Sequence, residues 1–278
     1  MPAEPPLAPR PKPKRERLDL ALVRRGLEST RERAQLLIGA GEVSVAGVVA
    51  RAPSALVAPD ADLAVGKALP YVSRGGLKLA HALDTFQLDP SDLVCLDAGA
   101  SAGGFTDVLL QRGALRVYAL DVGKGQLAWT LRHDARVVVM EGVNVRHLLP
   151  SQLPQSPSLV VADLAFISLR LVLPALTAAM APHAHLVALV KPQFEAGQSA
   201  VGKGGVVRNP EVHRRVLRDV LHATRVCGLT PGGLTASPIR GQAGNVEFLL
   251  WAARPATGTA FSDQESIESA LDEATRST

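Results

Sequence analysis

LVCLDAGASAGGFTDVLLQRG, residues 93–113, is the stretch on which the fold turns. Four apolar residues, Leu93 to Leu96, run into a carboxylate, Asp97. Glycines follow at Gly99, Gly103 and Gly104, and apolar residues then return at helical spacing from Phe105 to Leu110. That order reads as buried strand, tight turn and helix, because glycines between a strand and a helix let the backbone approach a ligand closely. The turn is not G-x-G-x-x-G, and no Lys-Ser or Lys-Thr follows it as a phosphate loop requires. A nucleoside ligand is therefore favoured over a pyrophosphate.

Outward from this unit, apolar runs alternate with longer amphipathic stretches. The candidate strands are Leu93–Asp97, Arg116–Asp121, Arg136–Met140, Ser158–Asp163, His185–Lys191 and Val246–Ala252. The alternation predicts an α/β domain over residues 71–254, with a mostly parallel, doubly wound sheet of Rossmann-like type. Residues 16–66 read differently, as a small α+β unit. A helix is expected over Leu18–Val23, and a second one after the capping pair Ser29-Thr30, ending at Gly39 or Gly41. Short strands Val43–Val45 and Val48–Ala50 join across Ala46-Gly47. Residues 67–70 form a linker. Residues 1–15 are a proline-rich basic extension expected to be flexible, and the acidic residues 255–278 are expected to be a disordered tail or a short surface helix.

The net charge of +4 is unevenly placed. Residues 1–80 hold 13 Lys/Arg against 8 Asp/Glu, residues 81–253 hold 15 against 13, and residues 254–278 hold 2 against 5. A basic front suits a polyanion-binding module, although a solvated tail explains Arg10 to Arg17 equally well. With 47% hydrophobic and 20% charged residues the chain is outside the disordered class. Its two cysteines, Cys95 and Cys227, supply no disulfide framework, and no apolar run approaches the roughly 20 residues that cross a bilayer. The expectation is a reduced, cytoplasmic protein with no membrane partner. The seven histidines do not cluster with cysteines or carboxylates at ligand spacing, so no metal is expected. Nothing fixes the oligomeric state; a monomer is the working expectation.

Charged residues also close several strands. Asp121 ends VYALD, where a carboxylate can accept from both ribose hydroxyls of a bound nucleoside. Asp163 ends LVVAD and Lys191 ends LVALVK, which puts both at the ligand-binding edge of the sheet. Glu247 is read as lying inside the apolar strand VEFLLWA, where a carboxylate needs a partner.

Two resemblances follow from these residues. LDLALVRRGLESTRERAQLLIGAGEVSVAGVVARAP, residues 18–53, resembles the S4 RNA-binding domain. That likeness implies phosphate contacts from Arg24, Arg25, Arg31 and Arg33, while plain solvation of helix faces explains the same arginines without RNA. Asp97 near a cationic methionine moiety, the glycine turn with Ser101 and Phe105, and Asp121 for ribose look like the cofactor motifs of S-adenosylmethionine-dependent methyltransferases. By that comparison Asn144 faces adenine, though it suits a loop cap equally.

Lys78, Asp163, Lys191 and Glu247 fit the Lys-Asp-Lys-Glu tetrad of the RrmJ/FtsJ-like 2′-O-methyltransferases, Asp163 also bordering the cofactor. The order of blocks, an S4 domain, SRGGLKL, DAGASAGGF, DLAFISL, KPQFEAG, VGKGGVVRNPEVH and SPIRGQAGNVEFLLWA, resembles the hemolysin A (TlyA) family of ribosomal RNA methyltransferases over residues 16–253. The resemblance implies methyl transfer from S-adenosylmethionine to a ribose 2′-hydroxyl of cytidine in ribosomal RNA of one or both subunits. A 2′-hydroxyl is a weak acid, so the nucleophile needs help. Lys191 either takes or relays its proton, or stays charged to orient the hydroxyl and stabilise the alkoxide. Lys78 would position the ribose or a phosphate. Arg74, together with Lys203 and Arg208 on a glycine-rich loop read as mobile, would contact RNA; a plain surface loop is the alternative. Relatives carry Arg-Asp where this chain has Arg208-Asn209, which leaves a helix cap or an RNA contact in doubt. Two other functions compete. A non-catalytic RNA-binding protein would not need all four tetrad residues, and a pore-forming toxin would need a signal peptide, a spanning segment or a lytic helix.

Overall fold

The computed structural model describes residues 15–46, 48–50, 52–66, 70–202, 204–241, 243–254 and 262–276. The chain divides into two compact units after Ser73. The expected N-terminal extension, apart from Arg15, and the linker, apart from Pro70, lie outside the described residues.

In the first unit β1 (Glu16–Arg17) runs into α1 (Leu18–Arg24), and α2 (Arg31–Ala40) follows a turn. Thr30 caps α2 by accepting the Arg33 N–H at 3.2 Å, and Gly41 ends it at φ 79°, the left-handed cap that glycine adopts without penalty. Next come β2 (Val43–Val45), β3 (Val48–Ala50), β4 (Leu56–Val57) and β5 (Leu63–Val65). β2 pairs antiparallel with β3 and β5, and β1 pairs with β4. Leu18, Leu22, Leu37, Ile38, Val43 and Leu63 form the core. Strands β1, β4 and β5 have only two or three residues each, too few for an alternating pattern to show in the sequence.

The second unit begins with α3 (Gly75–Thr85), β6 (Val94–Ala98), α4 (Gly104–Gln111) and β7 (Arg116–Asp121). It continues with α5 (Trp129–Arg132), β8 (Val137–Glu141), β9 (Leu159–Ala162), α6 (Leu169–Ala179) and β10 (Ala184–Val190). It ends with α7 (Pro192–Glu195), α8 (Pro210–Val226), β11 (Thr230–Ala236), β12 (Phe248–Arg254) and α9 (Asp263–Arg276). The seven strands lie in the order β11-β12-β10-β9-β6-β7-β8. β10, β9, β6, β7 and β8 are parallel, and β12 is antiparallel to both its neighbours. The central strands β6, β9 and β10 are almost wholly buried, as expected where helices cover both faces of a sheet.

Three expectations are corrected here. Glu247 lies one residue ahead of β12 rather than inside it, because strand pairing begins at Val190 opposite Phe248. Strand β11 was not foreseen: TPGGLTA looks like a turn, yet its glycines make room for rings. A Cβ on Gly232 would come within 2.8 Å of Trp251, and one on Gly233 within 2.5 Å of Phe86, and these two rings stack at 5.9 Å. The C-terminal segment is a helix over its described part, the second of its two expected forms, but one that packs on the core rather than lying on the surface. α9 buries Ile267, Ala270, Leu271 and Ala274 in the main core, and each large side chain so buried contributes roughly 1.5–3 kcal/mol.

Candidate active site

The strand order places the tetrad. Asp163 and Lys191 are the first residues beyond the carboxyl ends of β9 and β10. Because β12 runs the other way, its entry residue Glu247 reaches that same edge. Lys191 Nζ lies 2.5 Å from Asp163 Oδ1. Lys78, on α3, reaches Glu247 with Nζ 2.5 Å from Oε2, and both side chains are buried. The four residues thus form two ammonium–carboxylate pairs, which settles which carboxylate faces which lysine. Removing one member of the Lys78–Glu247 pair would leave the other as an uncompensated buried charge.

The glycine turn lies directly beside this edge. The Asp163 N–H donates to Ala98 O at 3.0 Å, and a Cβ on Gly99 would meet Asp163 O at 2.4 Å. Gly99 also has φ +90°, so Gly99→Ala is expected to cost at least about 2 kcal/mol of stability and to displace Asp163. Thermal unfolding together with cofactor titration checks both effects. Ser101 adopts φ 47° and donates its N–H to Asp121 Oδ2 at 2.8 Å, while Gly123 N donates to Oδ1 at 2.7 Å. Asp121 therefore ties the turn to the end of β7. Each of its oxygens keeps a lone pair for a ribose hydroxyl. Gly103 is left-handed (φ 97°) and starts α4, whose first-turn amides, Gly104 and Phe105 among them, have no helical acceptor. The Phe105 ring itself is buried.

Asp97 is fully buried. Thr106 Oγ1 donates to its Oδ2 at 2.7 Å, while Oδ1 has no hydrogen-bond partner. Burial raises the Asp97 carboxyl to about 7, the Thr106 hydrogen bond opposes that shift, and the charges of Asp163 and Asp121 add to it. An orphaned buried carboxylate oxygen beside a glycine turn suits a cationic group such as the ammonium of S-adenosylmethionine, so the residues present fit that cofactor.

The remaining predicted residues are more dispersed. Asn144 caps a short 3-10 turn by accepting from Arg146 N at 3.0 Å, the second of its two expected roles. Arg74 precedes α3 and donates to Arg240 O. Arg208 is exposed at the entry to α8, where Asn209 caps the helix by accepting from Glu211 N at 2.9 Å. Asn209 therefore fills the helix-capping role that had been left in doubt at this position. Lys203 lies outside the described residues. The loop read as mobile is tied down over its described part: Asn245 Oδ1 accepts from Val207 N and its Nδ2 donates to Gly205 O, both at 2.9 Å.

In the first unit the four arginines all have partners. Arg24 pairs with Glu16, Arg31 with the buried Asp19, and Arg33 with Glu28. Arg25 donates to the carbonyls of Ala58, Pro59 and Ala61. Arg25 thus holds a loop of its own unit, whereas about half of the Arg24, Arg31 and Arg33 side-chain surface remains open to solvent.

Sequence reasoning missed three residues at this edge. Phe166 is 91% exposed at φ 63°, its ring 5.2 Å from that of Phe194, over which Lys191 Nζ sits at 6.0 Å. An exposed aromatic in a strained conformation is a mark of function; its position three residues after Asp163 was the available signal. Glu195, buried, accepts from Ser168 Oγ at 2.5 Å and from Leu169 N at 2.7 Å, which ties the segment after Lys191 to the segment after Asp163. Asn245 is the third.

Fold and site together define a class: an α/β methyltransferase domain in a chain that also carries a small RNA-binding type of module. Residues 71–254 match the FtsJ-like methyltransferase family and residues 16–63 match the S4 domain. The 16S/23S rRNA (cytidine-2′-O)-methyltransferase TlyA of Mycobacterium tuberculosis is 49% identical over 240 residues, covering 86% of this chain and 90% of that one. Hemolysin A of Brachyspira hyodysenteriae is 38% identical over 84% of this chain and 98% of its own. A solved Streptococcus thermophilus structure that bears the hemolysin name has 41% identity and a TM-score of 0.74, covering 95% of this chain and 98% of that one. The chain belongs to the hemolysin A (TlyA) family of S4-domain, FtsJ-like methyltransferases.

Proposed function

We propose that the protein transfers a methyl group from S-adenosylmethionine to a ribose 2′-hydroxyl of cytidine in ribosomal RNA. The observation that carries this reading is the pair of ammonium–carboxylate contacts, Lys191–Asp163 and Lys78–Glu247, beside the Gly99 turn. The cofactor supplies an electrophilic methyl on a sulfonium, so the protein's work falls on the hydroxyl. Held 2.5 Å from Asp163 Oδ1, Lys191 Nζ orients the 2′-oxygen and stabilises the negative charge that develops there. The hydroxyl proton passes to the Asp163 carboxylate, which is 21% exposed and hands it on to solvent. Lys78, held by Glu247, adds positive potential for the ribose and its phosphate. Phe166 offers an aromatic face on which the base can stack beside Lys191.

The S4 unit, through Arg24, Arg31 and Arg33, together with Arg74, Lys203 and Arg208 of the methyltransferase domain, grips phosphates and supplies affinity rather than sequence choice. A cytoplasmic setting follows from such a substrate. Among the described residues no helix is long and apolar enough to cross a membrane.

The test is incubation with labelled S-adenosylmethionine and purified ribosomal subunits, followed by alkaline hydrolysis of the RNA. A methylated 2′-oxygen blocks cleavage, so label in an alkali-resistant dinucleotide that begins with cytidine is the expected result. Label released in a mononucleotide would place the methyl on a base and overturn the reading.

A further inference from the structure

Helix α9 lies beyond the FtsJ-like match, which ends at residue 254. Two arginines hold it against α8: Arg214 reaches both Glu268 oxygens at 2.8 Å, and Arg225 binds Asp263. One further carboxylate of α9 points elsewhere. Glu273 Oε2 accepts the Thr235 hydroxyl at 2.7 Å and the Ala236 N–H at 3.0 Å, at the very end of β11. The next residue, Ser237, donates its N–H to Glu247 O at 2.9 Å, and its hydroxyl donates to Ile239 O at 2.7 Å. Glu273 thereby fixes the strand end from which the chain turns back to Glu247. With the Thr235 proton given to Glu273, the Thr235 oxygen faces His81 Nε2 at 3.4 Å, and His81 lies on α3 one turn after Lys78. Ala274, beside Glu273, lines a small cavity together with Ser237, Val246 and Glu247.

From this geometry we infer that Glu273 is a positioning residue for the Lys78–Glu247 pair: one carboxylate of the C-terminal helix engages the β11 end next to Glu247 directly and the Lys78 helix through Thr235. The inference rests on the methyl-transfer reading above. Charge-assisted hydrogen bonds of this kind are the stronger ones, and both acceptor functions of Glu273 survive in an amide but not in a methyl group.

The test uses the full chain and three variants. Glu273→Ala is expected to lower kcat about tenfold with KM for RNA within about twofold of wild type, and Glu273→Gln is expected to recover to within about threefold. Glu268→Ala loosens α9 at its α8 contact without touching Thr235, and its kcat should stay within about twofold. Hydrogen exchange across residues 237–247, read without cofactor or RNA, should accelerate in Glu273→Ala and not in Glu268→Ala. Unchanged kcat or unchanged exchange in Glu273→Ala overturns the inference. An equal loss in Glu268→Ala does so too, since α9 would then act through stability alone. A wild-type protein that methylates no RNA would sink the methyl-transfer reading instead, and the exchange comparison would still report on the link.

Discussion

Lys191→Ala is expected to lower kcat for methyl transfer by about 10³-fold while the dissociation constant for S-adenosylmethionine stays within about threefold of wild type. The lysine stands just beyond the end of β10 with its ammonium on Asp163, whereas Asp97 and Asp121, which suit the cofactor, are the penultimate residue of β6 and the last of β7. In the proposed mechanism its loss removes the group that orients the 2′-oxygen and leaves the approach of the reactants in place, so proximity still sustains a residual rate. Lys191→Arg keeps the charge but spreads it over a planar fork and should recover only part of the activity. The check is single-turnover transfer to ribosomal RNA alongside calorimetric cofactor titration. Lost cofactor affinity with unchanged kcat would move Lys191 out of the catalytic group.

The second large effect concerns Asp97. Burial holds its carboxyl near 7, so below that pH the cofactor-free protein carries it protonated. A cationic cofactor group at Oδ1 favours the ionised form, so the proton must leave on binding. Affinity is therefore expected to fall by up to about tenfold per pH unit below 7 and to level off above it. Asp97→Asn should abolish the slope and weaken binding at pH 8 by roughly 10- to 100-fold, the range of a hydrogen bond to a charged group. The same shift acts on folding with the opposite sense from a salt-bridged carboxylate. Between 3.8, the ordinary value, and about 7 the native state binds the extra proton, so the stability of the cofactor-free protein falls as pH rises through that window. Calorimetry from pH 5.5 to 8.5 checks the first claim and urea unfolding the second; a flat affinity profile in the wild type would contradict the cation assignment.

Much of the sheet was legible because its parallel strands are continuous apolar runs that end in a charged residue. Asp121, Asp163 and Lys191 each mark such an end, and the strand order brings the last two into contact. Pairing was not legible. Nothing in the sequence says that Lys78 meets Glu247, since 169 positions separate them. Strand β11 was hidden because Gly232 and Gly233 signal a turn, and only the positions of Phe86 and Trp251 show why a strand needs glycine there. The packing of α9 was hidden by composition: its exposed face is acidic, and the buried stripe is only Ile267, Ala270, Leu271 and Ala274. Arg25 illustrates a further limit. A basic residue in a nucleic-acid-binding pattern reads as a phosphate contact, yet its guanidinium is engaged by three backbone carbonyls.

The most direct test of the account is transfer of labelled methyl to ribosomal RNA at saturating cofactor, wild type against Asp163→Ala. The wild type is predicted to place alkali-stable label on a ribose 2′-oxygen, and the variant to lose at least about 100-fold in rate. Equal transfer by the variant, with label on the same oxygen, would contradict the assignment of the Lys191–Asp163 pair as the group that activates the hydroxyl.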